Sequence, residues 1–138
     1  MYKKILASVD LKADGYSTSI ARVALDIAGT EDAEVHFVSI LSNVHPPEIP
    51  DKEALEEKLM EFAEQFADSP VKVFLHALDG SVADEVLKFA NHSNCDLIIM
   101  ANHKMGSHML GSSGFGTITA KVAVQAQCSV LVVKQPLI

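Results

Sequence analysis

At 138 residues the chain is the size of one domain, and 49% apolar with 21% charged residues is an ordinary globular mix that excludes a disordered polymer. Net charge is −7, from 11 Lys and Arg against 18 Asp and Glu, and Trp is absent. A nucleic-acid binder needs the opposite balance, a basic stripe or a set of stacking rings, and neither is present.

Met1-Tyr2-Lys3-Lys4 is followed by five uncharged residues before Asp10, too short a core for a signal peptide. Nothing approaches the roughly 20 apolar residues of a membrane span, so a cytoplasmic location is the expectation. Ile5–Val9, bounded by Lys4 and Asp10, reads as a fully buried strand. Ile20, Val23, Ala24, Ile27 and Ala28 then recur at helical spacing, with Asp14 and Ser17 as candidate caps and Gly29 as the candidate stop. Val35–Leu41 is a second strand, and Asn43–Pro50, with three prolines, a loop. Asp51 caps an amphipathic helix with Leu55, Leu59, Phe62, Ala63 and Phe66 inward and an acidic outer face.

Val71–Ala77 is interrupted by Lys72 and His76, which suggests an edge strand. Gly80-Ser81 opens the next helix, where Ser81 and Asp84 have capping-box spacing, and Val82, Val86, Leu87 and Ala90 form its buried stripe. Leu97–Ala101 is a fourth strand, Thr117 to Ala126 a helix, and Val130–Val133 a fifth strand. Such alternation requires parallel strands joined by right-handed crossovers: one doubly wound α/β domain over residues 1–138, helices on both faces. Cys95 and Cys128 lie beside strands and read as buried reduced thiols.

Doubly wound sheets bind ligands at the carboxyl ends of strands, where strand order reverses. Ser8, Val9 and Asp10 end the first strand, and Met100, Ala101, Asn102 and His103 end the fourth. Between there and Thr119 lie glycines at 106, 111, 114 and 116, followed by a helix start. Glycines let amides approach an anion, and the helix terminus adds unpaired N–H groups and a favourable dipole. The segment reads either as a phosphate cradle or as a surface loop whose glycines only permit turns. Asp10 suits a ribose hydroxyl or a ligand-borne Mg²⁺, or simply a turn. Gly106 to Gly111 has P-loop glycine spacing without the lysine, Gly114-Phe115-Gly116 lacks the third glycine of a dinucleotide fingerprint, and Ser113 is not in G-x-S-x-G. His103 and His108 have no ligand partners at metal spacing. No nucleophile or paired catalytic carboxylates stand out, so catalysis is not expected beyond very slow turnover.

Several segments resemble universal stress proteins. Ile5-Leu-Ala-Ser-Val-Asp10 is similar to their opening I-L-V-P-V-D, and Asp79-Gly-Ser-Val-Ala-Asp-Glu-Val-Leu87 to their G-x-P/S-x-x-x-I-L. Cys95-Asp-Leu-Ile-Ile-Met-Ala-Asn-His103 resembles D-L-I-V-M-G-T-H, and Gly116-Thr-Ile-Thr119 with Cys128-Ser-Val-Leu-Val-Val133 resembles the closing G-S-V-x and C-P-V-L-V-V. The resemblance implies a five-stranded sheet of order 3-2-1-4-5 and homodimers formed through the fifth strand, here Val130, Leu131, Val132 and Val133. The rival is a strand covered by its own tail, Gln135–Ile138.

ATP-binding members carry G-x-x-G, nine residues, then G-S/T. Here the first two glycines fall on Ala101 and Lys104, and the closing pair on Gly116-Thr117 after two extra residues. The resemblance thus implies ATP or AMP, with or without Mg. Ser8, Val9, Asp10 and Val38 would flank adenine and ribose, and Gly114, Gly116, Thr117, Ile118 and Thr119 the phosphates, near His103 and Lys104. A nucleotide-free dimeric interaction module is the alternative. The related adenine-nucleotide hydrolases need an S-G-G-x-D-S-like loop that Asp10-Leu11-Lys12 does not supply.

Overall fold

A computed structural model describes residues 1–11, 16–43, 45–102 and 116–134. In chain order they form β1 (Lys4–Ser8), α1 (Tyr16–Glu31), β2 (Glu34–Leu41), α2 (Lys52–Glu64), β3 (Val73–Asp79), α3 (Val82–His92), β4 (Leu97–Ala101), α4 (Thr117–Gln125) and β5 (Ser129–Val133). The strands make one parallel sheet of order β3-β2-β1-β4-β5, as the family resemblance implied.

The central strands are apolar on both faces because both faces are covered. Ile5, Ala7, Phe37 and Ile99 pack with Ile20, Ala24, Leu59 and Phe62 of α1 and α2. On the opposite face Leu6, Val38, Ile98 and Met100 pack with Val86, Leu87 and Val122 of α3 and α4. β3, with one neighbour, is half-buried, and Phe74 and Leu75 stay 42% and 36% exposed. The edge expected from Lys72 and His76 is therefore correct.

Helix ends depart from the sequence reading in three places. α1 runs through Gly29 to Glu31 and stops where Asp32 takes φ 55°, with Ala33 N–H donating to the Ala28 carbonyl at 2.9 Å. Asn94 ends α3 in the same way, also at φ 55°, with Cys95 N–H on the Ala90 carbonyl. Both are left-handed terminators built on residues that tolerate that region. Ser17 lies inside α1 and does not cap it. Ser81 stands at the N-cap of α3 without a side-chain bond to the helix backbone; its hydroxyl pairs with the Asp84 carboxylate, which also meets Lys121 Nζ of α4. Asp51 does cap α2, accepting the Ala54 N–H at 2.9 Å.

Both cysteines are free; Cys95 is buried and Cys128 half-buried. Burial pushes the Cys95 thiol up to about 12, so it behaves as a small apolar side chain. Among the described residues no helix is long and apolar enough to cross a membrane.

Candidate functional site

β1 leads to α1 on one face of the sheet, and β4 leads toward α4 on the other, so the chain parts between β1 and β4 at their carboxyl ends. In an open α/β sheet that parting is the place for a ligand. Parallel register holds the edge: Ser8 pairs with Val38, and Ala7 with Ile99. Ser8 to Asp10, Val38 and Met100 to Asn102 are separate in sequence, and this register brings them to one edge, where hydrogen bonds of Asn102 and Thr119 hold the start of α4. His103, Lys104 and Gly114 lie outside the described residues, as do Asp14 and the glycines at 106 and 111.

The backbone of this edge is already knitted. Val9 N–H donates to the Val38 carbonyl at 3.0 Å, and Asn102 N–H to the Val133 carbonyl at 3.1 Å. Ser8, Val9, Val38, Met100 and Ala101 are buried, so their side chains are part of the core floor. Asp10 is half-buried, and its backbone carbonyl accepts the Ser17 hydroxyl at 2.6 Å. The reading of Ser17 as a helix cap missed that contact: the hydroxyl pins the turn after β1 instead.

At the start of α4 the geometry is specific. Gly116, the N-cap, is buried and extended at φ −74°, ψ 165°. Its N–H donates to Asn102 Oδ1 at 3.3 Å, so a side chain from the end of β4 sits over the helix terminus. Thr117 is exposed and Ile118 half-buried. Thr119 is fully buried, and its hydroxyl donates to the Ala101 carbonyl at 3.2 Å. That hydroxyl locks α4 to β4 and faces inward, which favours backbone amides over Thr119 Oγ1 as phosphate donors. Among the described residues no buried side-chain nitrogen or oxygen lacks a partner. The chemistry this edge offers an anion is therefore that of a helix N-terminus, partial positive charge on N–H groups.

On the β2 side the edge is filled. Ile49 packs with Leu55 and Ala77, leaving a cavity of about 10 Å³ bordered by Asp10, Leu11, Ser39, His45 and Ile49, room for one water. On the far side Tyr16 Oη donates to the Lys134 carbonyl at 2.6 Å, tying the start of α1 to the exit of β5. The sequence carried no signal for that pair, whose partners are 118 positions apart. Among the described residues no group of three or more His, Cys, Asp or Glu is placed to hold a metal ion.

Residues 1–134 match the Universal stress protein family. The chain is 30% identical over 151 residues to the universal stress protein MJ0531 of Methanocaldococcus jannaschii, covering 99% of this chain and 84% of the relative. Its fold is similar to that of UspA from Lactobacillus plantarum, with TM-score 0.76, 21% identity and coverage of 96% and 98% of the two chains. It is similar too to the universal stress protein of Archaeoglobus fulgidus solved in complex with dAMP, with TM-score 0.73, 20% identity and the same 96% and 98% coverage. Strand order, closing motif and a match along nearly the whole length agree: this chain belongs to the universal stress protein family.

Proposed function

We propose that this chain is a single-domain, cytoplasmic stress-response regulator that binds an adenine nucleotide at the carboxyl edge of β1 and β4. One observation carries the reading: the N-terminus of α4, at Gly116, lies against the end of β4 at the strand-order reversal. A fold neighbour holding dAMP supports it. Ser8 to Asp10, the Val38 backbone and Met100 to Asn102 would border the base and ribose. Gly116 to Thr119 would receive the phosphates through N–H groups. ATP or AMP is the ligand class, with any Mg²⁺ carried by the phosphates and met by Asp10. Homodimerisation through β5 removes an apolar edge on which Leu131 is 36% exposed.

Titration calorimetry with ATP, AMP and dAMP, each with and without Mg²⁺, tests the site. The expected affinity is micromolar, about −8 kcal/mol. No heat at millimolar nucleotide would overturn it. Sedimentation of the same samples is expected at twice the chain mass, and a monomer would remove the β5 interface.

A second reading, a nucleotide-free dimeric interaction module, is favoured by the Asn102 side chain already seated on the Gly116 N–H. In that reading Gly116→Val leaves partner binding intact, whereas a nucleotide binder loses its ligand.

A further inference from the structure

The β3 side of the sheet holds a chain of ionisable side chains that the crevice chemistry does not use. Glu34 and His36 of β2 and His76 of β3 share the face covered by α3. His36 Nδ1 lies 2.8 Å from His76 Nε2, and His36 Nε2 lies 3.0 Å from Glu34 Oε1. The two imidazoles are within 16° of parallel. Phe74 stacks on His36 at 4.8 Å between centroids, and Phe89 of α3 touches both imidazoles, at 5.8 Å from His36 and 4.5 Å from His76. His36 is only 8% exposed. The chain therefore joins β2, β3 and α3 at the half-buried edge of the sheet.

Proton positions along it follow from donor and acceptor roles. An ionised Glu34 can only accept, so His36 Nε2 carries a proton. Nδ1 of a neutral His36 is then an acceptor, and His76 Nε2–H donates to it. One added proton, on either imidazole, still leaves one N–H donor and one acceptor between the rings. A second sets two N–H donors of two cations against each other across 2.8 Å. Neither donor then has an acceptor in the pair.

We propose that the Glu34–His36–His76 chain is a proton-operated latch, holding β3 and α3 to the sheet while at most one imidazole is charged and loosening that edge when both are. The charged surroundings keep Glu34 in its accepting form. The His36 hydrogen bond holds its carboxyl below the usual range, helped by Lys4 of β1, 3.8 Å away, and by Lys72 just before β3. α3 turns the apolar ring of Phe89 to the imidazoles; its own titratable groups along that side are half-buried Glu85 and exposed Lys88 and His92. α2 packs against the other face of the sheet.

Burial, then the neighbouring His36, holds the His76 pKa below the ordinary 6.5. The sign follows: as pH falls below about 6.5 the unfolded chain takes up a proton before the folded one, so stability drops. Above that pH the contribution is complete.

The test is backbone amide exchange by NMR at pH 7.5 and 5.0, corrected for intrinsic rates, on the wild-type protein and His76→Gln. Glutamine keeps a donor and cannot titrate. Protection in β3 and α3 is expected to fall severalfold relative to β1 and β4 in the wild type and to hold in His76→Gln. An equal change in all strands, or the same fall in the variant, would overturn the latch. Imidazole titration of the wild type gives an independent reading if the variant does not fold. β3 protection is expected to hold while one imidazole is charged and to fall once both are; β3 still protected with both charged would refute it.

Discussion

Among the described residues, carboxylates close the chain at the amino edge of the sheet, and hydroxyls and an amide make closing contacts at the carboxyl edge. Asp96 accepts the Lys3 N–H at 2.8 Å and the Lys4 N–H at 3.3 Å, while Glu31 takes the Tyr2 N–H at 3.0 Å and the N-terminal ammonium at 3.2 Å. Lys4 Nζ adds a 2.8 Å bond to the Ser93 carbonyl. Across the sheet the closures are Ser17 on the Asp10 carbonyl, Thr119 on the Ala101 carbonyl, Asn102 on the Gly116 N–H and Tyr16 on the Lys134 carbonyl. Charge-assisted bonds are roughly twice as strong as neutral ones. One edge is thus fastened by contacts no ligand competes for. The other includes one contact, the Asn102 amide oxygen on the Gly116 N–H, that an anion at the start of α4 can replace.

The comparison breaks most readily at Asp96. Asp96→Ala leaves two backbone donors without their carboxylate, so unfolding in urea is expected to lose about 2 kcal/mol while ATP affinity changes less than about twofold. An unchanged urea midpoint would mean the amino edge is not fastened by that carboxylate.

Asn102 sharpens the other half. Asn102→Asp places a negative charge over the α4 terminus, where phosphate would sit. ATP binding is expected to weaken about tenfold while stability rises by about 0.5 kcal/mol. Asn102→Ala frees the Gly116 N–H and should tighten binding. Equal ATP affinity in wild type, Asn102→Asp and Asn102→Ala would show that phosphate does not use this terminus.

The smallest effect concerns acid. Hydrogen bonding from Tyr2 N–H, then the N-terminal ammonium, holds the Glu31 carboxyl below its ordinary 4.5. A depressed carboxylate contributes stability that is complete above about pH 4.5 and lost as pH falls through the folded value. Glu31→Gln should therefore lower stability near neutrality, with the gap to the wild type closing as pH falls below about 4.5. Identical stability of the two proteins at every pH would remove Glu31 from the closure.

How much of this was legible varies with the range of the interaction. Strand and helix alternation, the Asp51 cap and the half-exposed β3 follow from patterns a few residues long, and they agree with the structure. Asp32 and Asn94 as helix terminators were missed, since Gly29 is the stronger local signal while the stop depends on which residue meets β2 in register. The Ser81–Asp84 pairing is legible in the sequence and present in the fold, but the second partner of Asp84, Lys121 at 37 positions' distance, is not. The glycine-rich stretch ending at Gly116 pointed to the carboxyl edge, but the inward turn of Thr119 Oγ1 and the seat of Asn102 were beyond any local pattern.

The sequence by itself determined the layers and the strand count, because burial on two faces demands continuous apolar strands and one-faced helices, and these periodicities are written residue by residue. Tertiary structure alone decided which polar groups meet. The His36–His76 contact, the Tyr16–Lys134 tie and the Asn102–Gly116 cap join residues 40, 118 and 14 positions apart. A hydrogen bond requires placement within a few tenths of an ångström, and only the packed sheet sets positions that finely.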